Sequence, residues 1–337
     1  MYALPALTTW KTAGGWSNTS GGASNGTWPT TGDTAIFDAN SGASRSIAAT
    51  AEAVSSINTT GAAAMTFTGS GIIVTGATAN FAGTASISTL TVGSASAQTF
   101  TPPATINTLQ MNGFCTLGGN LVVTGAWNWF DPGAPYNFSG GGYNVTAPKL
   151  DTSGASTSGN SFTAGSGTYT LTGTGAILVP TSFTFTFSGT TIKVTDTSAT
   201  LKDLTQIGTL LFAANLWLAC PGSGGVQLPN GAQINTLTMD PGCKLILPNS
   251  ATVAANSFSL VGTAPLPLTF VSATSGFIGY FQKIGGGTIT IEYATLKDTG
   301  AQAGTTIVAK ASTNLGNSGS SVNVTYYKAP PNFMSFI

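Results

Sequence analysis

Apolar side chains recur at alternate positions along this chain in short runs, and Gly or Pro cuts off each run. The pattern is plainest in an eleven-residue phrase that occurs four times: MTFTGSGIIVT from Met65, YNFSGGGYNVT from Tyr136, YTLTGTGAILV from Tyr169 and FTFSGTTIKVT from Phe185. In each copy the first and third residues are large and apolar, and glycine stands fifth, at Gly69, Gly140, Gly173 and Gly189. A period of two on both sides of a glycine predicts strand, turn, strand. A second phrase, INTLQMNGFCTL from Ile106 and INTLTMDPGCKL from Ile234, is identical at seven of twelve positions, with echoes at Ile87 and Ile207. Such self-similarity predicts an all-β solenoid, a right-handed parallel β-helix with a non-repeated N-terminal cap and an irregular C-terminal tail.

Composition agrees with a stack of coils. Charged residues make up 6% of the chain, while Gly alone fills 44 of 337 positions. In a parallel stack, equivalent residues of successive coils lie about 4.8 Å apart, so a repeated charge would face its own copy. At an effective dielectric near 20 that repulsion is roughly 3 kcal/mol per contact. Thr, Ser and Asn are expected to form neutral hydrogen-bonding ladders instead. A flexible low-complexity chain is the competing reading of so much Gly and Ser. It is disfavoured because 42% of the residues are hydrophobic and fall at alternate positions, enough to fill a core.

Three segments follow. Residues 1–46 carry Trp10, Trp16 and Trp28 and end in the unrepeated PTTGDTAIFDA, which contains Phe37. A solenoid cannot leave its first coil bare, so this segment is expected to be a cap, either alone or together with a surface that docks on another protein. Residues 47–297 hold the repeats, at roughly 20–30 residues per coil. Pro102, Pro103, Pro132, Pro148, Pro180, Pro229 and Pro248 mark its corners, because proline gives no donor to a ladder. Residues 298–337 end in YYKAPPNFMSFI, either a closing strand or an oligomer contact. The docking candidates are therefore Trp10, Trp16, Trp28 and Phe37 at the head, and Tyr326, Tyr327, Phe333 and Phe336 at the tail.

Candidate chemistry is thin. The chain has no His, so imidazole triads and dyads and the usual zinc ligand sets are absent from the sequence. Carboxylates are the remaining acids and bases, and Asp131, Asp196 and Asp203 are the ones placed near aromatic or turn segments. Asp before Pro or Ser more often caps a turn, so no catalytic residue, metal or cofactor is assigned. Cys115, Cys220 and Cys243 are an odd number that cannot all pair within one chain, and Cys115 and Cys243, which hold equivalent places in the second phrase, are expected to be buried free thiols rather than a disulfide. Ten basic and ten acidic residues, scattered singly, leave no footprint for nucleic acid. The longest apolar stretch, Leu210–Cys220, is too short for a membrane span, which takes about 20 residues. MYALPALTTW lacks the basic and apolar regions of a secretory signal, so synthesis and folding in a cytoplasm are expected.

Residues 168–200, from TYTLTGTGAILV to SGTTIKVTDTSAT, together with GGTITIEYATLKDT at 286–299, resemble the repeated text of β-helical virion proteins of tailed bacteriophages. The opening, from Trp10 through GGWS to GDTAIFDA, is similar to the first coil of those proteins and of bacterial autotransporter adhesins. The resemblance covers about half of the chain. It implies a non-enzymatic virion structural protein: a tail fibre, spike or capsid-decoration subunit, assembled in the host cytoplasm without a signal. Its partners would be capsid or tail proteins, copies of itself in a homo-oligomer such as a trimer, and a host surface glycan. Two alternatives share the resemblance, a polysaccharide-binding or depolymerising tailspike and the passenger domain of a bacterial surface adhesin. Related phage sequences follow the last phrase with Trp-containing text, which Ala301–Gly319 lacks.

Overall fold

A computed structural model describes residues 1–42, 44–95, 97–129, 136–153, 159–179, 183–205, 214–222, 224–319 and 322–328. The chain is all-β: short strands, laid parallel, stack coil upon coil as a β-solenoid. A short 3-10 turn, Ala39–Ser41, is capped by the Asp38 side chain. Chain contacts divide the molecule into two compact units, Met1–Tyr169 with Pro180–Thr186, and Thr170–Val179 with Phe187–Ile337. The boundaries expected at 46 and 297 do not coincide with this division.

In the first unit, two parallel sheets carry the coils. One runs through Thr34–Ile36, Ser56–Asn58, Thr78–Asn80, Thr99–Thr101, Phe114–Leu117, Asn137–Ser139, Asn160–Thr163 and Phe183–Thr186. The other contains Ser46–Ala49, Met65–Gly69, Thr84–Val92, Thr105–Met111 and Leu121–Trp129. Its inner rung is Ile47, Phe67, Ile87, Ile106 and Val123, each opposite the next and all buried. Alternation explains the rung: within a strand every second side chain points inward, and parallel register places those side chains above one another. The matching rung of the first sheet is Cys115, Phe138, Phe162 and Phe185. Phe162 stacks on Phe138 at 4.7 Å and on Phe185 at 5.1 Å between ring centroids.

The second unit has the same design with different filling. Its longest inner rung is Val194, Leu218, Met239, Leu260, Ile291, Ala309 and Tyr326. A second sheet stacks Lys202, Val226, Leu245, Phe270 and Leu296 in the same way. Full burial of one such aliphatic side chain contributes about 1.5–3 kcal/mol, so a rung of this length is a large part of the unit's stability. The neutral ladders are present on the outside: Asn235 donates to Asn215 at 2.9 Å, Asn256 donates to Asn235 at 3.2 Å, and Thr236 bonds Ser257 at 2.8 Å. Where a charge does enter a rung, its neighbour is not of the same sign. Lys310 lies opposite Glu292, and the Lys193 ammonium sits 3.5 Å from the centre of the Trp217 ring opposite it.

The eleven-residue phrase needs a correction. Its copies do not stack in phase: Phe67 faces Ile47 and Ile87, whereas Phe138 faces Cys115 and Phe162 in the other sheet, and the strand Thr168–Leu171 that opens the third copy lies between Val145–Ala147 and Thr191–Val194, which close the second and fourth. The phrase marks a local strand, turn and strand, at different phases of the coil. Its glycines are set by close backbone approach. Gly69 and Gly71 have φ of 90° and 105°, and a Cβ on them would lie 2.5 Å from the Ala49 carbonyl oxygen and 2.2 Å from that of Thr89. The second phrase does stack on its echo, Ile87 on Ile106 and Leu90 on Leu109. Its echo at Ile207 lies outside the described residues. Pro102, Pro103, Pro148, Pro229 and Pro248 all fall between strands, as a residue without an amide donor must.

Candidate docking groove

The head candidates turn inward. Trp10, Trp16 and Phe37 are fully buried, in contact with each other and with Phe67 of the repeat region at centroid distances of 5.0 to 6.4 Å. The Trp16 indole donates to the Trp10 carbonyl at 2.7 Å, and the Trp10 indole donates to the Pro29 carbonyl at 3.3 Å. These rings close the hydrophobic column and cannot also form an outer face, which corrects the docking role given to them. Tyr2–Ala3 and Trp16–Ser17 pair antiparallel at the edge of the first sheet, so the segment blocks further strand addition there. Of the head candidates Trp28 is exposed, at 37%.

The carboxylates act in turns. Asp196 accepts from the Ser198 hydroxyl at 2.6 Å and from its amide, and the Lys202 ammonium lies 2.9 Å away. Those bonds, Ser198 first, hold the Asp196 carboxyl below the usual carboxylate range. Lys202 occupies an inward position of its rung and is fully buried, its ammonium donating to the Ser198 and Thr200 carbonyls at 2.6 and 2.8 Å. Asp203 accepts from the Thr205 amide at 2.6 Å. Asp131 lies outside the described residues. The three cysteines are buried.

The tail candidates divide. Tyr326 points inward over Ala309, and burial pushes its phenol up to about 12. Tyr327, one residue on, points outward by strand alternation and is 55% exposed. Phe333 and Phe336 lie outside the described residues. Around Tyr327 the structure forms a groove of about 340 Å³, lined by Glu292, Tyr293, Val308, Lys310, Ala311, Tyr327 and Lys328.

Register builds this groove. Val261, Glu292, Lys310 and Tyr327 are opposite one another on four successive strands, and Glu292 and Lys310 pair at 3.4 Å. The next residue of each coil turns the corner. Tyr293 and Ala311 both have φ of 50°, and their amides donate to the Lys310 and Tyr327 carbonyls at 3.0 and 2.9 Å. A tyrosine in the left-handed region costs roughly 1–2 kcal/mol, so the corner is imposed by the stack rather than by local preference. Ala311 repeats the corner of Tyr293 without a large side chain. The lining thus combines two tyrosines, the small apolar Val308 and Ala311, and the Glu292–Lys310 ion pair. Reasoning from sequence reached Tyr327 through the apolar tail but not Glu292, Tyr293 or Lys310. Their convergence depends on coil lengths of 17 and 18 residues, which no phrase of the sequence displays.

No family model, curated protein or solved structure matches the chain.

Proposed function

We propose that the protein is a non-enzymatic structural protein of a bacteriophage virion, a β-solenoid fibre, spike or capsid-decoration subunit. It docks on a neighbouring capsid or tail protein through the groove at Tyr293 and Tyr327, and its remaining flank faces solvent or the host surface. The observation that carries this reading is an exposed pair of tyrosines held on a rigid ladder beside an ion pair. Tyrosines bring large contact area with little rotamer entropy, the property that makes aromatic residues binding hot spots. The resemblance of residues 168–200 and 286–299 to virion proteins supplies the setting. Assembly inside the host, self-association and contact with a host glycan belong to the same reading.

The test is incorporation into particles. A phage carrying Tyr293→Ala with Tyr327→Ala is expected to make a folded protein, β-rich by circular dichroism, that is lost from purified virions on a stained gel. Full incorporation of the double variant, or absence of the unaltered protein from virions, would overturn the proposal. Band intensity of the unaltered protein separates shell from tail, since decoration requires far more copies than a fibre.

A further inference from the structure

We propose that Cys220 and Cys243 are a disulfide site, a latent covalent staple between two successive coils of the second unit. Cys220 follows the strand Asn215–Leu218, and Cys243 immediately precedes Lys244–Leu247. The strand Asn215–Leu218 pairs directly with Gln233–Met239, so the two residues stand at neighbouring corners of the stack. The Cys220 amide donates to Cys243 Sγ at 3.2 Å, which brings the Cys243 sulfur against the Cys220 backbone. Both are fully buried, and the Cys243 thiol also contacts the Leu218 carbonyl at 3.3 Å. Gly222 donates to the Gly242 carbonyl at 3.1 Å, fixing the corners against each other.

A buried thiol pair has two readings, core packing or cross-link. Cys115 shows what packing alone looks like: it is buried opposite Phe138, and burial pushes its thiol up to about 12. Cys220 and Cys243 differ in having each other, in an orientation set by a backbone hydrogen bond. Closing the bond requires an oxidant, and a disulfide such as oxidised glutathione serves. One cysteine thiolate attacks it and releases a glutathione thiol; the second cysteine thiolate displaces the other. Two protons and two electrons leave the protein, one S–S bond forms in the chain, and two glutathione thiols result. Access comes through the corner itself, where Pro221 and Gly222 are exposed. The bond would close a loop across 23 residues of chain, the kind of constraint that acts mainly on the unfolded state.

The experiment refolds the full chain in a buffer of oxidised and reduced glutathione and maps its thiols by mass spectrometry without reduction. The expected product is lighter than the reduced protein by two hydrogens, with a peptide linking Cys220 to Cys243 and Cys115 alone alkylated after unfolding. Its melting temperature should exceed that of the reduced protein by roughly 5 °C. Cys115→Ser should leave the link in place. Three alkylatable thiols, a lasting glutathione adduct on Cys220 or Cys243, or a bond to Cys115 would overturn the proposal. The peptide map of the unaltered protein decides the matter even if a cysteine variant fails to fold.

Discussion

The two units solve the same packing problem with different side chains. In the first, aromatic rings fill the column, from Trp10, Trp16, Phe37 and Phe67 to the Phe138, Phe162 and Phe185 stack. In the second, Leu, Ile, Val and Met do so, in rungs such as Leu218, Met239, Leu260 and Ile291. The outsides are reversed. Of the large apolar side chains exposed among the described residues, Val261, Leu266, Phe277, Ile284, Tyr293, Leu315 and Tyr327 belong to the second unit, and Trp28 and Tyr143 to the first. The first unit therefore spends its aromatic residues on its own stability. The second leaves more large apolar side chains exposed, which is why the proposed docking groove is placed there.

The contrast is broken most directly in the cores. Phe162→Ala removes a ring that stacks on two others and touches Trp127 and Trp129, and should destabilise by about 4 kcal/mol. Leu237→Ala removes a fully buried aliphatic side chain and should cost about 3 kcal/mol. Denaturant titration gives the magnitudes, and hydrogen exchange should show the first loss in peptides of the first unit and the second in those of the other. Equal effects, or loss of protection in the wrong unit, would contradict the assignment of the two cores.

A smaller effect is expected at Lys202, where a charge enters an inward rung of the second unit. Asp196→Ala strips that buried ammonium of its carboxylate and should destabilise by about 2 kcal/mol, after allowance for the water that reaches Asp196. The pH dependence has a fixed sign. Because folding depresses the Asp196 value, its contribution is complete above the ordinary aspartate pKa of about 3.9 and is lost as pH falls through the depressed value. The variant should therefore lack this acid-side step in a plot of melting temperature against pH.

The smallest effect belongs to the neutral ladder. Asn235 bonds Asn215 on one side and Asn256 on the other, so Asn235→Ala should cost about 1 kcal/mol by thermal unfolding. Asn235→Asp should be worse than Ala at neutral pH, because a carboxylate gives up the amide donor that reaches Asn215. An aspartate tolerated better than alanine would undercut the explanation offered for the scarcity of charge.

How much of this was legible in the sequence follows from what each signal encodes. Alternation around Gly69 and Gly140 reports local strand and turn, and both appear. Coil phase was not legible from the same phrase, because its copies begin at Met65, Tyr136, Tyr169 and Phe185, at intervals that are not whole coils. The burial of Trp10, Trp16 and Phe37 was hidden for another reason. An unrepeated aromatic segment at the end of a stack has the same composition whether its rings face in or out, and contact with Phe67 decides it. The groove was half legible. Tyr327 announced itself in an apolar tail, while Glu292, Tyr293 and Lys310 join it through register alone.

Register between successive coils is the claim beneath both units, and spin labels measure it most directly. Paired labels at Thr91 and Gln110 in the first unit, and at Thr288 and Thr306 in the second, replace residues that face each other on adjacent strands. Strands of one sheet lie about 4.8 Å apart, so each doubly labelled protein should show strong dipolar broadening that its singly labelled forms lack. The native cysteines are buried and should stay unlabelled in the folded protein. Narrow, unbroadened spectra from both pairs would mean that these residues do not face one another, and the stacked-coil account would fall.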